Sequence, residues 1–189
     1  MKIVLFLLST ILISSCATAP PRNPDNICSI FQENEDWYDD SYQAYTKWGV
    51  PIPVQMAIMY QESSFISDAQ PPRPWLLGFI PWFRSSSAFG YAQAKDETWD
   101  HYISKTGNSG ADRDDFDDAT DFIGWYCNLS KNQLGIDTWD TKNLYLAYHE
   151  GHGGFKRRTY LQKSWLQQTA NKVAKRAQRY QSQLARCKP

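Results

Sequence analysis

Strand-like alternation is scarce in this sequence, and no internal repeat or low-complexity block interrupts it. What remains is helical periodicity, which points to a mostly α domain. Neither sign of charge is in excess, since 20 Lys and Arg face 20 Asp and Glu. A nucleic-acid binder normally carries a basic surplus, so the composition argues against that class. Membrane-spanning length is missing as well: the apolar run near the start, Ile3 to Ile13, is too short to cross a bilayer as a helix.

The first sixteen residues, MKIVLFLLSTILISSC, have the shape of a secretory signal: one lysine, the apolar run, then small residues. The ending Ile13-Ser14-Ser15-Cys16 resembles a bacterial lipobox, which implies cleavage before Cys16 and diacylglycerol on its thiol. An ordinary signal peptide with an incidental cysteine is the alternative. Ala17 follows the cysteine, not the aspartate that retains many such lipoproteins at the inner membrane. The resemblance therefore implies an outer-membrane anchor facing the periplasm. On this reading residues 1–15 are the signal, 16–26 a proline-bearing, lipid-anchored tether, and 27–189 one domain with a substantial core. Of Cys28, Cys127 and Cys187 at least one stays unpaired within the chain, and three pairings are open. Cys28 with Cys187 is favoured because it would join the two ends of the domain, whereas Cys127 falls on the apolar face of a predicted helix.

Periodicity and stop signals predict a helix over 27–47, ending before Gly49 and Pro51. Pro53 opens a second over 54–61, apolar on most faces and therefore buried. A third runs over 96–106 and closes at Gly107, and Phe116, Ala119, Ile123, Tyr126 or Cys127, and Leu134 outline a fourth. A fifth over 138–148 stops at a glycine-rich turn. Leu161, Trp165, Ala170, Val173, Ala177, Tyr180 and Leu184 mark one or two long amphipathic helices at the end. The connection from 67 to 92 is long, irregular and rich in proline, aromatics and serine, as binding loops often are.

Within this frame the stretch MAIMYQESSF, residues 56–65, places Glu62 where an apolar helix stops. A carboxylate at the mouth of a buried helix loses water, and desolvation raises its pKa. It then stays protonated near neutrality and can donate a proton. The alternative is an exposed glutamate at the end of a short helix. Two later motifs bear on the choice: Gly90-Tyr91-Ala92-Gln93, near the start of a helix, and Ala147-Tyr148-His149-Glu150-Gly151, at a helix end.

Taken in order, Glu62-Ser63-Ser64-Phe65, Gly90-x-x-Gln93 and Ala147-Tyr148-x-x-Gly151 resemble the signature of soluble lytic transglycosylase domains. These are lysozyme-like enzymes that cut peptidoglycan. The resemblance implies a lysozyme-like α-helical domain with the long loop beside the active-site cleft. It also implies cleavage of the β-1,4 bond between N-acetylmuramic acid (MurNAc) and N-acetylglucosamine (GlcNAc), leaving 1,6-anhydroMurNAc ends. Glu62 would protonate the glycosidic oxygen and then accept the C6 hydroxyl proton as the anhydro ring closes. Most glycosidases need a second carboxylate, but an attacker on the same ring has a high effective concentration and replaces it.

By the same resemblance Tyr148 lies within hydrogen-bonding reach of Glu62 or the substrate, Gln93 on the sugar's polar groups, and Ser63 beside the acid. With Tyr91 and Trp82 these make the candidate substrate contacts. No cofactor or metal is expected. The expected partners are peptidoglycan strands and, through Cys16, a membrane. Departures from the pattern are Gly-Tyr-Ala-Gln in place of Gly-Leu-Met-Gln, His149 in place of asparagine, and a long gap from Glu62 to Gln93. They bear on cleft shape and preferred glycan end. Two other readings are a hydrolytic muramidase, with Glu150 or a nearby aspartate activating water, and a non-catalytic peptidoglycan-binding lipoprotein.

Three further signals carry less. His149 and His152 are three positions apart across glycine, whereas zinc-protease helices need a spacing of four. The acidic run from Asp112 to Asp118 lacks the glycine and terminal glutamate of an EF-hand, and carboxylates near a helix start are favoured by its dipole. Trp75, Trp82 and Phe83, in the long loop, are candidates for a glycan surface, since flat rings suit sugar faces.

Overall fold

A computed structural model describes residues 19–78, 80–81 and 83–187. The expected signal segment 1–15, the lipidation site Cys16 and Trp82 lie outside the described residues. The element at the centre is a helix, Ile52–Ser63 (α3), with Pro51 at its cap and a proline in its first turn. Val54, Met56, Ala57, Ile58 and Met59 are all wholly buried. A helix apolar on every side has no solvent face, so the others pack round it.

Before it come Ile27–Glu33 (α1) and Asp36–Trp48 (α2). The single helix expected over 27–47 is thus two. The break uses neither glycine nor proline: Asn34 leaves the helical region (φ −135°, ψ 83°). Its side-chain amide donates to the Ile30 carbonyl at 3.2 Å, so a side chain competes with the backbone ladder. After α3 come Asp96–Thr106 (α4), Phe116–Leu134 (α5) and Thr141–Lys156 (α6). The first two match expectation. The third begins later than 138 and runs past 148, but is interrupted at Gly151 (φ 72°, ψ 159°) within the anticipated glycine-rich turn.

A 3₁₀ turn, Thr159–Gln162, and a helix, Ser164–Leu184 (α7), follow α6. Leu166, Ala170, Val173, Ala177 and Tyr180 are buried on α7. Leu161 and Trp165, assigned to this stripe from the sequence, are instead 57% and 55% exposed. Lys163, at φ −116° and ψ 78°, separates the two helical pieces, so the helical count cannot be carried across it. The long connection also holds a small antiparallel ribbon, Trp75–Leu76 (β1) with Ile80–Pro81 (β2), in the register Trp75↔Pro81 and Leu76↔Ile80.

The ends of the domain are fastened together. Cys28 and Cys187 form the expected disulfide, and Cys127 is free and buried. Closing so long a loop contributes roughly 4–5 kcal/mol in the chain-entropy model. Residues 21–26, read as tether, dock on the domain. Tyr180 and Arg176 both donate to the Pro24 carbonyl, and Asp25 pairs with Arg176 and Arg179 at 2.8 and 2.7 Å. The core beside α3 is aromatic, with Trp37 stacked on Phe116 at 3.9 Å and Phe65 tilted against Trp37.

Candidate active site

Glu62 stands in the last turn of α3, and the chain leaves that turn abruptly. Ser64 and Phe65 both take left-handed backbone angles, φ 54° and 62°. Two consecutive non-glycine residues there cost about 1 kcal/mol or more each. Phe65 is wholly buried against Trp37 and Tyr60, and burying that ring is worth about 2–3 kcal/mol. Packing therefore holds the chain in a sharp exit that ends the helix one residue beyond Glu62.

The half-buried Glu62 carboxyl faces a cleft of about 390 Å³, lined also by Gln93, Phe122, Tyr126, Tyr148 and Glu150. Burial pushes its pKa up to about 7, against the opposing effect of hydrogen bonding from the Tyr145 hydroxyl. Tyr145 is on α6 and only 4% exposed, and its own ionisation is pushed up by burial and by Glu62. Tyr145 occupies no position of the sequence motifs. The available signal was its place three positions before Tyr148, on the same side of one helix.

Tyr148 lines the cleft, but its hydroxyl donates to the Ala92 carbonyl at 2.7 Å. Its ring meets Tyr126 edge-on, with centroids 5.1 Å apart. It thus ties α6 to the Gly90–Gln93 turn while lining the cleft where a substrate would lie, and of the two tyrosines it is Tyr145 that lowers the Glu62 pKa. Gln93, at φ 48°, does reach the cleft. Its amide nitrogen donates to the carbonyls of Ala69 (2.7 Å) and Gly90 (2.9 Å). Both N–H bonds are spent holding the turn, and the carbonyl oxygen is what it can offer a sugar hydroxyl or N-acetyl group.

Two candidate contacts point elsewhere. Tyr91 is 1% exposed and sits edge-on to Trp37 and Phe116 in the core. Ser63 is 6% exposed and donates back to the Met59 carbonyl at 3.2 Å within α3. Trp75 and Phe83 are exposed in the loop at 61% and 82%, and Ala88 brings the end of that loop to the cleft wall.

Glu150 is the second carboxylate that lines the cleft among the described residues, and its side chain is 4% exposed. One oxygen accepts from Lys163 Nζ at 2.7 Å and from His149 Nδ1 at 3.1 Å, and the other accepts from the Thr159 hydroxyl. Burial would raise its pKa, but the hydrogen bonds from Lys163, Thr159 and His149 outweigh that and bring it down to about 2. His152 is turned away from His149: it stacks on Tyr126 at 4.6 Å and meets Ser130 Oγ at 2.8 Å. The two histidines therefore do not form a metal pair. Among the described residues, Asp115, Asp117 and Asp118 bring ligating atoms together, at the start of α5 and apart from the cleft lining. Asp118 is already occupied there, accepting from Asp112 N (2.9 Å) and Asn108 Nδ2 (3.0 Å).

A mostly helical domain that ends a buried helix in a glutamate of raised pKa facing a cleft is lysozyme-like in class. Residues 4–187 match the family model described as the transglycosylase SLT domain, so the chain belongs to that family, whose members act on peptidoglycan. A sequence comparison with curated proteins finds no match.

Proposed function

We propose that this protein is a peptidoglycan lytic transglycosylase in which Glu62 serves as acid and then as base. The observation that carries the reading is a carboxyl at the end of the buried helix α3 that faces the cleft, where burial lifts its pKa to about 7 and suits it to both roles near neutrality. Protonated Glu62 gives its proton to the oxygen between MurNAc and GlcNAc as the bond from that oxygen to MurNAc C1 breaks. GlcNAc leaves with a free 4-hydroxyl. The Glu62 carboxylate then takes the proton of the MurNAc C6 hydroxyl while that oxygen bonds to C1. Glu62 ends protonated, as it began, and no water or cofactor is consumed.

The alternative of hydrolysis through Glu150 asks an anion with a pKa of about 2 and both oxygens occupied to act as a base for water. Such a group is a weak base. The test is to incubate purified protein with peptidoglycan and weigh the released muropeptides. Products one water lighter than lysozyme products, absent with Glu62→Gln, are expected. Full-mass reducing products would sink the transglycosylase reading. We further propose that the protein is anchored through a lipid on Cys16 at the outer membrane, facing the periplasm. The lipobox-like Ile13-Ser14-Ser15-Cys16 followed by Ala17 supports this. Fatty-acid labelling that persists in Cys16→Ala would overturn it.

A further inference from the structure

Charge that balances over the whole chain is not mixed along it. All 20 acidic residues lie from Asp25 to Glu150, whereas ten of the 20 basic ones follow Glu150. Residues 151–189 contain no Asp or Glu. Much of that segment is α7, where the spacing of Lys172, Lys175, Arg176 and Arg179 sets four cations on one side of the helix. With Tyr60 and Gln61 of α3 they line a hollow of about 320 Å³.

The four cations are not equivalent. Arg176 lies over the Tyr60 ring at 3.4 Å, and both arginines share Asp25. Lys172 and Lys175 are exposed, and among the described residues neither has a carboxylate at ion-pair distance. Two ammonium groups therefore line a concave site, and among the described residues no carboxylate pairs with either.

The position of the hollow indicates what it meets. Gln61 precedes Glu62 on α3, so the hollow and the cleft open on two sides of one helix end, about 100° apart. A MurNAc held at Glu62 carries a stem peptide, whose free carboxylates are the strong anions of peptidoglycan. That peptide has to leave the cleft round its edge.

We propose that Lys172 and Lys175, on α7, form a stem-peptide site that binds the free carboxylates of the peptide carried by the MurNAc being cleaved. This rests on the transglycosylase reading above and adds a preference for strands that bear charged stems. An anionic membrane surface is the competing ligand, because Pro24 and Asp25 dock on the same helix. A flat bilayer meets protruding side chains, however, and would not use a hollow floored by Tyr60 and Gln61.

The test compares purified native protein with Lys172→Glu/Lys175→Glu on two substrates: glycan strands with their stems, and the same strands after an amidase has removed them. The expected result is a rise in KM on the order of 10-fold on stem-bearing strands, with kcat little changed. On stripped strands the variant should match the native protein, which also shows that it has folded. Raised salt should reproduce the KM rise in the native protein, and Lys172→Arg/Lys175→Arg should keep the native KM. An unchanged KM on stem-bearing strands overturns the proposal. If the charge-reversed variant at the same time loses binding to anionic phospholipid vesicles, the face belongs to the membrane. A native protein that releases product from neither substrate overturns the transglycosylase reading itself, and the absence of product distinguishes that failure from the first.

Discussion

The Tyr145 hydroxyl stands beside the Glu62 carboxyl and draws its pKa down, while Tyr148, three residues on, spends its hydroxyl on the Ala92 carbonyl. The two phenols of α6 thus divide the work of the site. One touches the acid, and the other fastens the wall opposite it. A donor to the ionised carboxylate favours the charged form, so Tyr145 holds the Glu62 pKa below what burial alone would give.

Removing that donor should move the pH profile. Proton delivery needs the protonated form, so activity should fall as pH rises through about 7 in the native protein. In Tyr145→Phe the alkaline limb of kcat/KM should shift to higher pH. Tyr148→Phe should instead loosen the Gly90–Gln93 wall and raise KM without moving the limb. A limb that stays in place in Tyr145→Phe would remove Tyr145 from the acid's surroundings.

Glu62 should also make the fold less stable in alkali. Its folded pKa is raised from 4.5 to about 7, so the folded state holds a proton that the unfolded chain gives up between those values. The native advantage is complete below pH 4.5 and is lost as pH rises through about 7. Its size is about 3 kcal/mol at most, and less because the carboxyl keeps some contact with solvent at the cleft. Glu62→Gln has no charge to lose. Its Tm should match the native value at acid pH and exceed it by several degrees above pH 8. Parallel Tm–pH curves for the two proteins would show that the carboxyl is not desolvated.

What could be read from the residues alone divides along physical lines. The helices α4 and α5 were legible because apolar spacing agrees with their stops, Gly107 and Gly135. The break between α1 and α2 was not, because Asn34 makes it with a side chain that resembles any other polar helix residue. The ribbon of β1 and β2 is two residues deep on each side, too short to show alternation. At the site, Glu62, Gln93 and Tyr148 carry motif positions and meet at the cleft. Tyr145 and the anchoring of Glu150 were hidden, because their partners come from other segments: Tyr145 from α6 against α3, and Lys163 and Thr159 from beyond the break in α6.

Gly90 and Gly107 offer a matched pair for testing how the cleft wall is held. Both have left-handed angles, φ 77° and 76°. A Cβ on Gly90 would lie 1.9 Å from the Arg113 carbonyl oxygen, whereas one on Gly107 would meet nothing within 4 Å. Gly107→Ala carries only the backbone penalty, about 1 kcal/mol. Gly90→Ala adds a collision with backbone, so the turn that carries Gln93 must move. Its loss should exceed about 3 kcal/mol, and activity should fall even at temperatures where the protein remains folded. Equal Tm values for the two variants would mean that the turn yields without strain.

Glu150 separates lysis from hydrolysis by a route that does not depend on Glu62. Its carboxylate is held by Lys163, Thr159 and His149, and charged hydrogen bonds of this kind contribute about 2 kcal/mol when lost. Glu150→Gln should therefore lower Tm by several degrees at neutral pH. The gap should narrow as acid is added, because the native group, depressed to about 2, loses its advantage only as pH falls from 4.5 through that value. Its products should still be anhydro-ended. A carboxylate that activates water must accept a proton from it, and this one is both too acidic and fully engaged. If native protein yields reducing ends that disappear in Glu150→Gln while Tm stays unchanged, then Glu150 is the base and the cleft is that of a hydrolase.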